Sequence, residues 1–273
     1  MLRMKTETGW WLITHPDHAR LAGEFAAAWG NALFRRPEPR ERVLYGIAAH
    51  DDGWTARDAK PSITRQGKPS AFSTELVGKY SAFEEIDLVD YLAVRERAVR
   101  IIAEDDPYAG LLVALHTYNL LTARADRSTI GAEQLPLLDA FLDRQRVYQS
   151  ELRAAIVSDS TLSSEEKAAE AIDEHFRLLQ ACDNLSLLAC VDFSAPADLL
   201  HPLPLNDGGT GEVRVMPIGP RHFRLEPWPF AESEKVFNFP ARHVVGEIFE
   251  SSAELESAFK TALLQILSVT LSK

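Results

Sequence analysis

Histidine and aspartate side chains interrupt apolar patterns at several points of this sequence, and their types suit the binding of a metal ion. The residues concerned lie on the inward faces of four predicted helices: His18, His50, Asp51, His116 and Asp183. Imidazole and carboxylate ligands suit Fe, Mn, Zn, Co or Ni. Taken singly, each residue also fits a core position with one hydrogen bond or ion pair. Their occurrence on four helices favours one shared site for a divalent transition metal. Its predicted ligands are His18, His50, Asp51 and Asp183.

The pattern is clearest around Asp183, in a helix predicted within residues 164–191. Apolar residues recur on both sides of Asp183 at spacings of three and four: Ile172, Phe176, Leu179, Leu187 and Cys190. This periodicity places the carboxylate on the apolar face of the helix. A buried carboxylate without a partner costs several kcal/mol, so a cation or several hydrogen-bond donors must compensate it.

Two histidines compete for the position of the first ligand. His18 precedes Leu21 by three residues, which directs its side chain toward the apolar face. His15 precedes Pro16 and is expected just outside the helix, so we prefer His18. His175 lies beside the apolar stripe of its helix and is interpreted as a surface or boundary residue.

The elements that must position these side chains are mostly helical. A strand is predicted at 9–14, and a long loop, of a kind that is often functional, at 53–80. A first helix is predicted at 16–29 and a second one ends near residue 50. Further helices are predicted at 84–104, 107–125, 133–157 and 164–191. Short strand-like runs follow at 212–216, 222–225, 235–239 and 243–249. A final helix is predicted at 252–271.

These elements predict a mainly α fold with two parts. Residues 1–192 form a helical body with an N-terminal strand. Residues 193–273 form a small β-containing extension that ends in a helix and packs on the body as one unit. The strand at 9–14 is expected to pair with the extension, which would join the two ends of the chain.

Composition excludes several classes of protein. The 273 residues carry 29 basic and 40 acidic side chains, a net charge of −11, which disfavours nucleic acid as a partner. Neither a signal peptide nor a stretch that could span a membrane is apparent, so the predicted location is the cytoplasm. Cys182 and Cys190 lie about 12 Å apart along one predicted helix, too far for a disulfide.

Three short segments resemble a known superfamily. They read DHA at 17–19, HDDGW at 50–54 and DNLSL at 183–187. A histidine on an early helix, a His-Asp pair and a late helical aspartate, in this order, resemble the HD-domain superfamily of metal-dependent phosphohydrolases. The three segments also resemble a bacterial protein family that carries the HDDGW motif. The resemblance to HD proteins covers about residues 10–192 and implies an HD-domain-like helical bundle.

The resemblance implies a hydrolase that acts on a small phosphate ester or a nucleotide and uses one or two divalent ions. With one ion, His18, His50, Asp51 and Asp183 are the ligands. With two, Asp51 bridges the ions and His116 joins the ligands. Asp52, and Asp51 through the metal, are the predicted catalytic carboxylates, because a carboxylate can orient the attacking water. A turn-capping role for Asp52 remains open.

A phosphorylated substrate would need cationic or donor groups. The predicted loop supplies Arg57 and Lys60, with Trp54 as a stacking surface, and His116 is a further candidate for contact with phosphate. A solvated loop with scattered charges is the alternative interpretation. Two other functions stay open: a di-iron oxygenase of the HD type, and a non-catalytic protein that senses a ligand or binds a partner. A homodimer is also left open.

Overall fold

A computed structural model describes residues 1–78 and 87–273. The last two residues of the predicted loop 53–80 and the first three of the predicted helix 84–104 lie outside the described residues. The α-helices are α1 (His15–Ala28), α2 (Arg40–Ala49), α3 (Thr55–Asp58), α4 (Leu88–Asp105), α5 (Pro107–Asn119), α6 (Leu135–Ser158), α7 (Ala169–Cys190) and α8 (Ser252–Thr261). In this part of the chain, no helix is both long enough and apolar enough to cross a lipid bilayer.

The strands form a large mixed sheet and a small second one. They are β1 (Leu2–Lys5), β2 (Gly9–Ile13), β3 (Ala197–Asp198), β4 (Leu203–Pro204), β5 (Thr210–Gly211), β6 (Arg214–Gly219), β7 (His222–Glu226), β8 (Glu234–Val245) and β9 (Leu264–Ser272). The seven-stranded sheet has the order β1-β2-β8-β9-β7-β6-β3, and β4 pairs with β5. Within the large sheet, β7 and β9 run parallel and the other neighbours run antiparallel.

The mainly α prediction is therefore wrong, as is the HD-domain-like helical bundle that the resemblance to HD proteins implied. The chain is 49% helix and 20% strand, an α/β fold. The two short runs predicted at 235–239 and 243–249 are largely one strand, β8, of 12 residues. β8 pairs with β2 and with β9, which lie near opposite ends of the sequence. Local sequence patterns do not predict such a sheet, because its strands are distant in the chain.

The final helix predicted at 252–271 ends at Thr261, and β9 follows it. Leucine and isoleucine fall at both helical and alternating positions in this segment, so its periodicity did not decide between the two. Antiparallel pairing of β9 with β8 over nine residue pairs favours the strand. In β9, Val269 and Leu271 are buried, whereas Leu264 and Ile266 are exposed.

The predicted connection between the two ends of the chain is confirmed. β2, at the predicted strand 9–14, pairs with β8 from Gly9 opposite Val245 to Leu12 opposite Arg242. β1 was not predicted and pairs with β2 at the edge of the sheet. One buried core cluster includes residues from the helices and from the sheet.

A side-chain hydrogen bond caps the start of four of the eight α-helices in residues 1–78 and 87–273, namely α1, α4, α5 and α8. The Asp106 side chain accepts a hydrogen bond from the Ala109 amide at the start of α5, directly before Pro107. Ser163 and Glu166 form a capping box, with both reciprocal hydrogen bonds. These hydrogen bonds stabilise a turn rather than the start of a helix, because α7 begins later, at Ala169.

Glycines allow the helices that carry the candidate ligands to approach one another closely. At Gly23 in α1, a Cβ atom would lie 2.5 Å from the Cβ of Ala48 in α2. At Gly53, a Cβ atom would lie 2.5 Å from the carbonyl oxygen of Val94 in α4. The chain that follows His50 therefore packs directly on α4, which holds the His-Asp pair in the interior.

His175 is buried rather than at a boundary, since only 6% of it is exposed. Its Nδ1 lies 2.8 Å from the Tyr108 hydroxyl. Burial, with Arg35 nearby, lowers the pKa of His175 to about 4. The folded protein thus keeps this imidazole neutral at a pH where the unfolded chain protonates it.

This difference predicts a specific loss of stability in acid. Stability from neutral His175 is complete above about pH 6.5 and is lost as the pH falls toward 4. Compared with His175→Gln, the wild type should lose about 2 kcal/mol more unfolding free energy between pH 7 and pH 5. Urea denaturation of both proteins at the two pH values measures this difference. Equal losses of unfolding free energy in the two proteins would contradict the lowered pKa of His175 in the folded state.

Candidate metal centre

The structure brings the five predicted metal ligands together in the interior. His18 comes from α1, His116 from α5 and Asp183 from α7, while His50 and Asp51 directly follow α2. Each of these residues is at most 7% exposed. Because α1 packs on α2 and α7, and α5 packs on α2 and α7, their inward faces meet at one point.

Three distances among the first four side chains fall in the range expected around one ion. The four residues do not form one group, however: His18, His50 and Asp51 offer ligand atoms within 4.8 Å of one another, and Asp183 groups with His50 and His116. His18 Nε2 lies 3.1 Å from Asp51 Oδ2, and His50 Nε2 lies 3.3 Å from Asp183 Oδ1 and 3.9 Å from Asp51 Oδ2. Two ligand atoms about 2.1 Å from one ion lie about 3.0–4.2 Å apart, depending on the angle between them. The observed separations fall within this range.

His116 makes a second group with members of the first. One nitrogen or carboxylate oxygen from each of His50, His116 and Asp183 lies within 4.8 Å of the others, as is also true of His18, His50 and Asp51. Asp183 directs Oδ1 toward His50, whereas its Oδ2 lies 3.9 Å from His116 Nε2. Burial lowers the pKa of His116 to about 3, so its ring is neutral and can act as a ligand.

The ring of His50 is oriented for ligation. Its Nδ1–H donates to the Ile47 carbonyl oxygen at 2.7 Å, so Nε2 is the ring atom that faces the two carboxylates. Nε2 is buried and has no hydrogen-bond partner in the described residues, because its approach to Asp183 lacks hydrogen-bond geometry. Burial alone would lower the pKa of His50, but the carboxylates of Asp51 and Asp183 raise it to about 9.

Ser186 orients the ring of His18 through Nδ1, as the Ile47 carbonyl does for His50. The Ser186 hydroxyl donates to the Asp183 carbonyl oxygen at 2.8 Å, so its oxygen is available to accept from His18 Nδ1–H at 3.0 Å. His18 Nε2 then faces Asp51, with which it makes a hydrogen bond at 3.1 Å. Sequence reasoning missed Ser186, although its position three residues after Asp183 places it on the same helical face.

Loss of the Ser186 hydroxyl should weaken metal binding without unfolding the protein. For Ser186→Ala we expect an affinity loss of about 10- to 100-fold, because His18 loses the group that holds its ring. Competition with a chromogenic chelator measures the affinity, and Ser186→Thr, which keeps a hydroxyl, is the matched control. An alanine variant with unchanged affinity would show that the hydroxyl does not orient the ligand.

Arg95 on α4 completes the cluster and was also missed. Its Nη1 lies 2.5 Å from Asp51 Oδ1, and its Nε donates to the Tyr91 hydroxyl at 3.1 Å. Burial would raise the pKa of Asp51, but Arg95 and the nearby histidines hold it well below its usual value. The signal was present in the sequence, since Arg95 interrupts an apolar stripe between Leu92 and Val99.

A cavity of about 300 Å³ opens onto the predicted metal ligands. Four of the predicted ligands line it: His18, Asp51, His116 and Asp183. The three predicted substrate-binding residues from the long loop also line it: Trp54, Arg57 and Lys60. The structure thus places these side chains around one space, although Trp54 is almost fully buried.

Asp52 is not brought to this cavity. Its carboxylate lies 3.5 Å from Arg20 Nη2 and is one-third exposed. It is absent from the described lining of the cavity, so the geometry offers no catalytic role for Asp52.

His15 and Asp58 are further polar residues of the cavity wall. His15 is the first residue of α1 rather than a residue outside it. Its ring stacks on Trp54 at a centroid distance of 4.2 Å, and its Nδ1 lies 3.1 Å from both carboxylate oxygens of Asp58. His15 belongs to neither metal-binding group, which agrees with the preference for His18.

Comparison with known proteins gives a family assignment without an activity. Among curated proteins and solved structures, none matches the chain significantly. One family model, described as "Protein of unknown function (DUF3891)", matches residues 1–245. This range includes all five predicted metal ligands and ends with β8. Since this match covers most of the sequence, the chain belongs to the DUF3891 family.

Proposed function

We propose that this protein is a metal-dependent hydrolase of small phosphate esters. The observation that carries the proposal is the convergence of two buried, oriented imidazole nitrogens on two buried carboxylates. His18 and His50 each engage Nδ1 elsewhere and direct Nε2 toward Asp51 and Asp183. The order of these residues along the chain resembles that of HD-type phosphohydrolases, which supports the choice of reaction.

The residues around the cavity have distinct parts in this proposal. When bound, a divalent ion acts as a Lewis acid and lowers the pKa of water, so that hydroxide is available near neutrality. Arg95 keeps Asp51 ionised and therefore able to act as a ligand. Arg57 and Lys60 supply positive charge in the cavity wall for a substrate phosphate.

A cluster of ion pairs without metal is the competing interpretation. In that case a proton on His50 would compensate the carboxylates, as its raised pKa allows. Two features favour a metal. His50 Nε2 does not make a hydrogen bond to either carboxylate in the described structure, and each of the two histidine-aspartate groups offers ligand atoms within 4.8 Å of one another.

Metal analysis and turnover test the proposal together. The full chain, purified without chelators, should contain a transition metal by elemental analysis. It should hydrolyse a simple phosphate monoester when Mn²⁺, Co²⁺ or Ni²⁺ is supplied. Asp51→Ala should lose both metal and turnover, whereas exchange of the exposed Asp173 for alanine should preserve both. Metal-free protein, or unchanged metal in Asp51→Ala, would overturn the proposed function.

The second histidine group supports one further candidate. Because His116 and Asp183 can hold a second ion with His50, a di-iron oxygenase fits the same cluster. Two irons per chain, and turnover that requires oxygen, would favour this reaction over hydrolysis.

A further inference from the structure

Two leucines continue the helical faces that carry metal-site residues. Leu120 follows His116 by four residues, and Leu187 follows Asp183 by four residues. Residues four apart lie on one side of a helix, about 6 Å apart along its axis. All four side chains line the same cavity. Leu120, the residue after α5, and Leu187 on α7 therefore place apolar surface about one helical turn from His116 and Asp183.

Other segments extend this apolar wall. Further large apolar side chains among the described lining residues are Phe72, Leu76, Val77, Leu188 and Leu200. The lining serines, Ser62 and Ser70, come from the same stretch of chain as Arg57 and Lys60. The hydrogen-bonding and cationic groups of this stretch suit the phosphate end of a substrate, and the leucines suit the other end.

We infer that the substrate is a phosphate monoester whose leaving group is apolar and about the size of one or two rings. This inference rests on the proposed function. A sugar placed against Leu120 and Leu187 would exchange its hydrogen bonds to water for a largely apolar wall, in which Arg124 and Asn184 are the nearby polar side chains. A cavity of about 300 Å³ lies at the lower end of the range for small-molecule sites and suits a phosphate with a small ring system.

A matched pair of esters tests the preference in the metal-supplied full chain. 2-Phenylethyl phosphate and 2-hydroxyethyl phosphate both release a primary alcohol, so their intrinsic reactivities are close. We expect kcat/KM to be at least about 10-fold higher for the phenyl ester. In Leu187→Asn this ratio should fall roughly 10-fold, through a loss on the phenyl ester alone. Leu120→Asn serves as a second variant if the first does not fold.

Leu137→Asn is the matched control, because Leu137 lies on α6 and is about half exposed. It should leave the ratio unchanged. Equal kcat/KM values for the two esters would overturn the inference while leaving the proposed hydrolase intact. A ratio that Leu187→Asn and Leu120→Asn do not alter would overturn the assignment of these leucines.

Binding of non-hydrolysable analogues separates this inference from the proposed function. Calorimetry on Mn²⁺-supplied protein should show tighter binding of 3-phenylpropylphosphonate than of 3-hydroxypropylphosphonate, by at least about 10-fold. Preferential binding without hydrolysis of any ester would uphold the apolar site and refute the hydrolase. Equal binding, or no binding of either phosphonate, would refute the apolar site.

Discussion

Asp183→Asn is expected to abolish stable metal binding by the purified protein. Both carboxylate oxygens of Asp183 face imidazole nitrogens, Oδ1 that of His50 at 3.3 Å and Oδ2 that of His116 at 3.9 Å. Asparagine keeps the shape of the side chain but removes its negative charge and replaces one oxygen with a nitrogen that cannot act as a ligand. We expect the affinity to fall by more than about 100-fold, beyond the effect of a residue that only orients a ligand.

Elemental analysis and chelator competition measure this loss. Asp173→Asn is the matched control, because Asp173 lies on the same helix, α7, and pairs at the surface with Arg177. It should keep the metal content of the wild type. If Asp183→Asn also kept its metal, Asp183 would be a member of an ion-pair cluster, and any bound metal would lie elsewhere.

The candidate site was more predictable than the fold. Helical periodicity shows which side of a helix faces the core, and it placed Asp183 and His18 correctly because both interrupt clear apolar stripes. Periodicity does not show which helices meet. The occurrence of such residues on four helices, together with the resemblance to HD proteins, led to one predicted group. The structure divides it into two overlapping groups: His18, His50 and Asp51, and His50, His116 and Asp183.

The sheet was less predictable because its stability depends on distant pairing. β9 contains apolar residues at helical spacing, and only the nine pairs with β8 and the parallel pairing with β7 favour a strand. β1 has four residues and no alternation that the sequence alone could identify. Local propensity is a weak guide where neighbouring strands determine the conformation.

Among the site residues, Arg95 and Asp52 show the limits of sequence reasoning. Asp52 is adjacent to Asp51, but the sharp turn after α2 directs it toward Arg20 rather than into the cavity. Arg95 breaks an apolar stripe of α4, but an arginine is not a metal ligand, so the pattern of candidate ligands did not include it. A buried carboxylate implies a compensating charge, and that charge can be an arginine as well as a metal ion.

Of the single substitutions considered for this site, Arg95→Met should cause the largest loss of unfolding free energy in the metal-free protein. Methionine fills a similar space but leaves Asp51 buried without its closest cation, 2.5 Å away in the wild type. Removing one partner of a buried ion pair costs about 3–5 kcal/mol. Urea denaturation with a chelator present measures this loss. With saturating metal the loss should be smaller, since an ion at the cluster also compensates Asp51.

Two variants show whether this loss arises from the buried pair. Arg100→Met removes an exposed arginine from the same helix, α4, where it pairs with Glu96, and should cost at most about 1 kcal/mol. Asp51→Asn in the Arg95→Met background removes the uncompensated charge and should recover part of the lost stability. If Arg95→Met were no more destabilising than Arg100→Met, Asp51 would be compensated without Arg95. An equal loss with and without metal would indicate that the ion does not lie at Asp51.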